Sequence, residues 1–303
     1  MHKIAFVVPT KDRPDDLRRM LASVAAQTRV PDQLVVVDGS DPVVRHVVEE
    51  FPQLRTDYVR VFPPSLAKQR NAGMQALQTD ITLAGYLDDD IVLEPDAVER
   101  MLAFWDKAAP EFGGAAFSIT NAPMPNWVGV KSVFGLDDRQ PGRVLASGCV
   151  STLGAQPHDT EVEWLCGGAT VWRREVVDRY PYDEWFSGTG YLEDVDFSFN
   201  VGGRYRLMLV AGARLAHYSP PVRPDRQFLL GRWQVANRMY LVRKYRARGL
   251  SPVRAWIASL ALAALNTVFA LRNREYWDRA RGNWAGIADE LRGRRAQLGG
   301  FLK

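Results

Sequence analysis

Three consecutive aspartates, Asp88, Asp89 and Asp90, follow an apolar run that ends at Leu87. Neighbouring carboxylates repel one another unless a cation neutralises them, and hard divalent cations prefer oxygen ligands. At the carboxyl end of a parallel strand, where open α/β sheets bind ligands, we expect Asp88 and Asp90 to share one ion and Asp89 to meet a ligand hydroxyl. The alternative is an acidic turn that caps a helix beginning at Pro95.

A further carboxylate at a predicted strand end is Asp38, which precedes Gly39 and Ser40. In the same crevice it can accept a hydrogen bond from a nucleobase N–H or a ribose hydroxyl. Its alternative role is that of a turn residue. The chain lacks the Gly-rich dinucleotide fingerprint and the phosphate-loop signature. If a nucleotide binds here, a metal must therefore hold its phosphates.

The third acidic group is Glu193-Asp194, which follows a glycine-containing turn late in the chain. A carboxylate aimed into the cleft from this position can remove a proton from an attacking hydroxyl. His217, as a neutral imidazole, can complete the coordination of a cation. The alternatives are a capped helix start for the acidic pair and a structural role for the histidine.

These groups are positioned by alternating short apolar runs and helix-period segments, a pattern that predicts an α/β fold with a mostly parallel sheet flanked by helices. Strands are expected over residues 4–8, 34–37, 59–62, 81–87 and 207–210. Helices are expected from Pro14 to about Gln27, from Pro95 onward and over residues 228–245. Frequent Gly, Pro and Trp residues predict a loop-rich region over residues 113–187.

Composition and length fit a large globular domain with an appended helical segment. Of 303 residues, 47% are hydrophobic and 24% are charged, so disorder is excluded for most of the chain. Two widely spaced cysteines and an N-terminal apolar run too short for a signal peptide favour a cytoplasmic location, at the inner face of the membrane. We expect a domain over residues 1–225, with a nucleotide-binding half (1–112) and an acceptor-binding half (113–225), and a basic helical extension over residues 226–303.

The charge of the chain is strongly polarised. Residues 204–303 carry 20 Lys and Arg against 5 Asp and Glu, whereas residues 1–203 carry 19 against 30. A basic block favours an anionic partner, either a membrane surface, a lipid-linked phosphate or nucleic acid, and a solvated helical face is the alternative. Nucleic acid is disfavoured because no binding motif is present. The uncharged segment 255–271 predicts a buried helix, an interfacial helix or a hairpin dipping into one leaflet, and with the basic block it favours peripheral membrane contact.

Six short motifs, in this order along residues 4–220, resemble glycosyltransferase family 2. They are Val7-Val8-Pro9-Thr10-Lys11-Asp12-Arg13-Pro14, Val37-Asp38-Gly39-Ser40, Ala67-Lys68-Gln69-Arg70-Asn71-Ala72-Gly73, Leu87-Asp88-Asp89-Asp90, Gly167-Gly168 and Glu193-Asp194. The resemblance implies a GT-A fold, a nucleoside-diphosphate sugar donor, a divalent metal (Mg²⁺ or Mn²⁺) and inversion at the anomeric carbon.

The resemblance also implies residue roles. Asp194 resembles the catalytic base. The residues similar to donor contacts are Pro9, Thr10, Arg13, Asp38, Arg70, Asp88 and Asp89. The residues similar to metal ligands are Asp90, Asp88 and His217. The residues similar to acceptor contacts are Trp164, Gly167, Gly168 and Glu193.

The expected activity is a metal-dependent glycosyltransferase, of the hexosyl- or deoxyhexosyltransferase class, that acts on a cell-envelope glycan or a lipid-linked acceptor. The processive members of the family carry Gln-x-x-Arg-Trp, whereas here Gln227 lies five residues before Arg232, so transfer of a single sugar is expected. Two other functions are weighed. One is a non-catalytic nucleotide- or sugar-binding protein on the same scaffold, and the other is a sugar nucleotidyltransferase, which would need a glycine-rich phosphate segment after the first strand.

Overall fold

The computed structural model describes residues 2–122, 128–186, 188 and 190–294, and nine strands within these residues form one mixed sheet. The strands are Ile4–Thr10 (β1), Gln33–Asp38 (β2), Thr56–Arg60 (β3), Leu83–Leu87 (β4), Ile91–Leu93 (β5), Phe112–Ile119 (β6), Thr160–Val162 (β7), Ala169–Arg173 (β8) and Arg206–His217 (β9). Their order is β3-β2-β1-β4-β8-β6-β9-β5, and β7 pairs with β9. The first four strands of this order run parallel, and β8 pairs antiparallel with both of its neighbours.

The helices of the described residues are Pro14–Ala25 (α1), Arg45–Glu49 (α2), Leu66–Gln75 (α3), Ala97–Trp105 (α4), Val128–Val133 (α5), Arg174–Arg179 (α6), Glu193–Val201 (α7), Gln227–Lys244 (α8), Pro252–Ala270 (α9) and Glu275–Leu291 (α10). Pro14 begins α1, and Leu17, Met20, Leu21 and Val24 form its buried stripe. The expected α/β architecture is therefore confirmed.

The strands β1, β2 and β4 are buried along their whole length, as expected for parallel strands covered by helices on both faces. Strand β3 lies at the sheet edge and is half exposed. It covers Thr56–Arg60 instead of the predicted 59–62, because an edge strand with one polar face lacks a continuous apolar run. Helix α4 begins at Ala97, two residues after the predicted start.

The prediction of a loop-rich region over residues 113–187 is wrong in part, because it contains nearly all of β6 and the whole of α5, β7, β8 and α6. Two glycines at the start of β6 hide the strand pattern. A Cβ at Gly114 would lie 2.3 Å from the Trp172 ring, so glycine is needed for that ring to pack against β6. The predicted strand 207–210 likewise covers only the first part of β9, which continues to His217.

The chain divides into two compact units. The first contains the described residues of 1–124 and 153–219, and the second contains those of 125–152 and 220–294. The expected boundary at residue 225 is thus close to the second junction, but residues 128–152 belong with the C-terminal helices. In that unit, a Cβ at Gly148 would lie 2.8 Å from Val242, a packing that hydrophobic periodicity along the chain does not reveal.

In the second unit, α8, α9 and α10 pack together. By length and composition, helix α9 is long and apolar enough to cross a membrane. Only 28% of its most apolar 18-residue stretch is buried. A helix buried on all sides, one of the three alternatives for this segment, is therefore not what the structure has.

Candidate active site

The carboxyl ends of β1, β2 and β4 meet at one edge of the sheet and bring Thr10, Asp38 and the aspartate triplet together. Thr10 pairs with Asp38 in the parallel register of β1 and β2. The Thr10 hydroxyl donates a hydrogen bond of 2.7 Å to Oδ2 of Asp89. Burial raises the pKa of Asp89 to about 7, although Thr10 and Arg13 oppose this effect. The acidic residues expected at this sheet edge therefore lie close to one another.

Asp88, Asp90 and His217 each place one ligand atom within 4.8 Å of the others. Oδ1 of Asp90 is buried and accepts no hydrogen bond from the described residues, yet it lies 2.8 Å from Nε2 of His217. Two electron-pair donors this close need a proton or a cation to hold them together. Two carboxylates and an imidazole are ligands that a divalent transition metal accepts, so the residues fit the metal implied by the sequence.

Strand pairing positions His217, the last residue of β9. Ile91 of β5 lies opposite it, and the backbone N–H of the following Tyr218 donates to the carbonyl of Asp90 at 2.8 Å. The Asn121 side chain bonds both the N–H and the carbonyl of His217. Burial opposes the charged imidazole, but the contacts with Asp90 and Cys166 raise the pKa of His217 to about 10.

Arg70 of α3 connects the two acidic parts of the site. It is 1% exposed, and its guanidinium donates to Oδ1 of Asp88 at 3.1 Å and to Oε1 of Glu193 at 3.0 Å. The guanidinium also lies over the rings of Tyr182 and Tyr86, with its Cζ atom 5.0 Å and 5.8 Å from their centroids. Burial opposes its charge, but Tyr182 and the surrounding carboxylates raise the pKa of Arg70. Its contacts are thus with protein groups of the site.

The loop before β8 passes through the centre of this cluster. The backbone N–H of Asp88 donates to the carbonyl of Gly168 at 3.0 Å, and a Cβ at Gly168 would lie 2.0 Å from the Asp88 carboxylate. A Cβ at Gly167 would lie 2.7 Å from Nη1 of Arg70 and 3.0 Å from Cβ of Asp194. Both glycines are required by close approach.

Glu193 and Asp194 form the first turn of α7, after Leu192 in the left-handed region with a φ of 69°. The Asp194 carboxylate accepts from the N–H of Gly167 at 3.3 Å and from the N–H of Val195 at 2.8 Å. Burial raises the pKa of Asp194, and burial together with the Asp194 charge raises that of Glu193 to about 7. The structure thus brings this pair to the same cluster as Asp88.

Asp38 is completely buried and fully engaged with the protein. Its carboxylate accepts from the N–H of Ser40 at 2.7 Å, from the N–H of Val44 at 2.9 Å and from the hydroxyl of Tyr58. Burial raises the pKa of Asp38, but the hydrogen bonds from Ser40, Tyr58 and Val44 outweigh burial and hold it below its ordinary value. In this conformation the carboxylate holds the turn after β2.

The remaining predicted residues lie on both sides of the cluster. Pro9 is buried in β1, and Arg13, with a side chain 39% exposed, contacts Asp90 at 3.0 Å and Asp89 at 3.3 Å. Trp164 packs, partly buried, against the hydrophobic cluster on one face of the sheet.

Three residues near the site were not among the predicted site residues. Nε2 of Gln69 bridges the carbonyls of Thr10 at 2.9 Å and Val37 at 2.8 Å. Tyr182 stacks on Arg70, and Cys166 contacts His217. Only Gln69 had a sequence signal, since it belongs to the motif that contains Arg70.

Comparison with known proteins gives this geometry a family context. Residues 5–143 match the profile of glycosyl transferase family 2. Validoxylamine A glucosyltransferase from Streptomyces hygroscopicus subsp. limoneus is 34% identical over 115 residues, which are 35% of this chain and 24% of that protein. The match therefore spans about a quarter of the length of this curated relative.

Two solved structures share the fold. S. aureus TarS 1–349 in complex with UDP superposes with a TM-score of 0.54 at 16% identity, covering 97% of this chain and 91% of that chain. The mannosyltransferase PcManGT from Pyrobaculum calidifontis, in complex with GDP-Man and Mn²⁺, gives a TM-score of 0.58 at 15% identity, covering 95% and 87%. The chain thus shares the GT-A fold of these two proteins, and its residues 5–143 match the glycosyl transferase family 2 model.

Proposed function

We propose that this chain is an inverting, metal-dependent glycosyltransferase that moves one sugar from a nucleoside-diphosphate sugar to a hydroxyl of a glycan or lipid-linked acceptor. The observation that carries the proposal is the double contact of Arg70, which holds Asp88 of the aspartate triplet and Glu193 of the acidic pair on one guanidinium. In a one-step displacement, the group that binds the donor diphosphate and the group that accepts the proton act on the same sugar carbon. The two groups must therefore lie close together.

Asp88, Asp90 and His217 would hold the divalent cation. When bound there, the cation acts as a Lewis acid that offsets the charge developing on the leaving diphosphate, a contribution of several kcal/mol. Arg13 lies beside Asp89 and Asp90 and is partly exposed, so its guanidinium adds a second positive charge at this edge of the crevice. The relatives with bound UDP or GDP-Man support a nucleotide-sugar donor.

Asp194 is our candidate for the general base. Its carboxylate takes the proton of the acceptor hydroxyl as that oxygen forms a bond to the anomeric carbon and the bond from this carbon to the diphosphate oxygen breaks. The N–H groups of Gly167 and Val195 orient the carboxylate, and burial raises its pKa toward the range in which a base is effective. Attack from the face opposite the diphosphate gives inversion.

The acceptor enters, in this proposal, beside Trp164, Gly167, Gly168 and Glu193. The two glycines are buried, and their lack of a side chain lets Arg70, Asp194 and Asp88 pack close to the backbone on this side of the site. Glu193, with a pKa raised to about 7, can be present in either protonation state near neutral pH and so can donate or accept a hydrogen bond. A hexosyl or deoxyhexosyl donor and a cell-envelope acceptor remain our expectation.

The test begins with thermal-shift measurements with UDP, GDP and dTDP, each with and without Mn²⁺. A ligand that binds the folded state raises its stability, so the donor base should give a metal-dependent shift. With the donor chosen this way, Asp194→Asn should bind it as the wild type does and lose transfer by at least about a hundredfold, as expected for a general base.

The matched control is Asp106→Asn, the same change at an exposed residue after α4, which should leave transfer unchanged. Full turnover by Asp194→Asn would remove this residue from the role of base. Nucleotide binding without transfer to any acceptor by the wild type would favour the non-catalytic binding protein.

A further inference from the structure

Helix α9 exposes a stripe that is apolar from end to end. Positions 253, 257, 260, 264, 268 and 271 follow one another at spacings of three or four, so they lie on one helix face, and all six are exposed. These residues, which we call the α9 stripe, are Val253, Ile257, Leu260, Ala264, Val268 and Leu271. Leu271 is 83% exposed and Val253 is 68% exposed, so the second unit leaves this face uncovered.

The opposite face of α9 is small and polar. Its buried residues are Ala255, Ala258, Ser259, Ala263 and Asn266. The Asn266 amide donates to Oδ1 of Asn283 at 2.7 Å, and Asn283 donates to the carbonyl of Gly231 at 2.9 Å. A helix facing water has the reverse arrangement, with its apolar stripe inward. Polar and small residues inside with large aliphatic residues outside are typical of a helix that faces lipid.

Exposed tryptophans lie on α10, the helix that packs against α9. Trp277 and Trp284 of α10 are 52% and 45% exposed. The indole N–H of Trp284 donates to the hydroxyl of Thr267 at 3.1 Å, which places this ring next to the stripe residue Val268. Tryptophan prefers the boundary between hydrocarbon and water because its ring is apolar and its N–H is polar.

The charge around the stripe is positive. Arg254 lies at one end of α9, and Arg272 and Arg274 lie at the other; all three are exposed, and residues 252–270 contain no acidic residue. The last hundred residues add a large excess of Lys and Arg over Asp and Glu. Arginines beside an apolar face are attracted to anionic headgroups.

We propose that the α9 stripe docks on an anionic lipid bilayer, with α9 lying flat in the headgroup region. Crossing the bilayer is disfavoured because α8 and α10 cover the other face of α9 and carry the ion pairs Arg232–Asp289 and Arg243–Glu290. Moving such charges into hydrocarbon is costly. The stripe itself needs to enter only about 5–10 Å, the usual depth of an interfacial helix. This inference does not depend on the transfer reaction.

The test is cosedimentation of the full chain with vesicles of phosphatidylcholine alone, or of phosphatidylcholine with roughly one third phosphatidylglycerol. We expect binding to the anionic vesicles to be at least about tenfold tighter than to the neutral ones, and to weaken in high salt. Equal binding to both compositions, or no binding to the anionic vesicles, would overturn the proposal.

The double variant Ile257→Glu/Leu260→Glu should lose vesicle binding by at least about tenfold, because each carboxylate would have to enter the apolar layer. Both residues are exposed, so its thermal melting should match the wild type. The control is Phe62→Glu, which places one such carboxylate on a 64% exposed residue of the first unit and should leave binding intact. Vesicle binding by the double variant at the wild-type level contradicts the proposal. The proposal is also contradicted if sedimentation velocity shows that the wild type is a dimer and the double variant a monomer, and vesicle binding is absent. The α9 stripe would then be a contact between two copies.

Discussion

The Asp88 carboxylate occupies the space that a side chain at residue 168 would need. A Cβ built on Gly168 would lie 2.0 Å from Oδ2 of Asp88, and the backbone N–H of Asp88 is bonded to the carbonyl of the same glycine at 3.0 Å. The Gly168 carbonyl therefore fixes the backbone position of Asp88. Because Gly168 has no side chain, the Asp88 carboxylate has room to point toward Asp90 and His217.

Gly168→Ala should displace the Asp88 carboxylate and weaken Mn²⁺ binding by at least about tenfold, because metal affinity depends on the orientation of the ligands. Titration of Mn²⁺ followed by electron paramagnetic resonance measures this loss directly. Gly154→Ala is the control, since a Cβ there meets no atom within 4 Å. Wild-type Mn²⁺ affinity in Gly168→Ala would show that Asp88 is not held by this contact.

Arg70→Met should destabilise the fold by about 3–5 kcal/mol, because it leaves the buried Glu193 and its neighbour Asp88 without their cation. Urea unfolding measures the change. Arg70→Lys keeps the charge but loses the two-pronged geometry, so it should retain more stability while lowering the rate of transfer. As a control, Arg18→Met removes an exposed ion pair with Glu50 and should leave the unfolding midpoint unchanged. Equal midpoints for Arg70→Met and the wild type would contradict the structure.

Asp38→Asn should cost on the order of 2 kcal/mol at neutral pH, because an amide cannot accept all the hydrogen bonds made to the carboxylate. The folded state holds the pKa of Asp38 below its ordinary value of 3.8, so the ionised group stabilises the fold above that value. This stabilisation is lost as the pH falls through the lower pKa of the folded state.

Urea unfolding of wild type and Asp38→Asn at pH 7 and near pH 3 should therefore show a difference that shrinks in acid. Asp41→Asn, at an exposed position of the same turn, should show no difference at either pH. A gap between wild type and Asp38→Asn that is constant with pH would mean that the charge of Asp38 is not the stabilising feature.

Asp90→Asn should weaken Mn²⁺ binding by at least about tenfold, because Asp90 is the most buried member of the proposed ligand set and lies 2.8 Å from His217. Isothermal titration with Mn²⁺ measures the affinity without any sugar donor. The exposed Asp106→Asn should bind Mn²⁺ as the wild type does. Tight binding by Asp90→Asn would assign the cation to other ligands.

The sequence predicts the parallel half of the sheet and the grouping of its acidic residues well. The runs that become β1, β2 and β4 are buried on both sides, so they are continuously apolar and easy to recognise. Since the carboxyl ends of neighbouring parallel strands share one edge, the positions of Thr10, Asp38 and Asp88 follow from strand order alone. The proximity of His217 to Asp90 came from the family resemblance, and the pairing of β5 with β9 explains it.

Long-range packing is what sequence reasoning missed. Strand β6 contains Gly113 and Gly114, which local propensity assigns to a turn, whereas the structure packs Tyr205 against Gly113 and the Trp172 ring against Gly114. The contacts of Arg70 could not be predicted either, because a buried arginine is rare and its partners Asp88 and Glu193 are distant along the chain. The apolar composition of the α9 segment could not decide between a buried helix, an interfacial helix and a hairpin in one leaflet. That choice depends on which face of the helix its neighbours cover.

The hydrogen bond between Asp88 and Gly168 continues the antiparallel pairing of β4 with β8, in which Leu87 lies opposite Ala169. A change that shifts the register of β8 against β4 would therefore move Gly168 away from Asp88 and alter the position of the aspartate triplet.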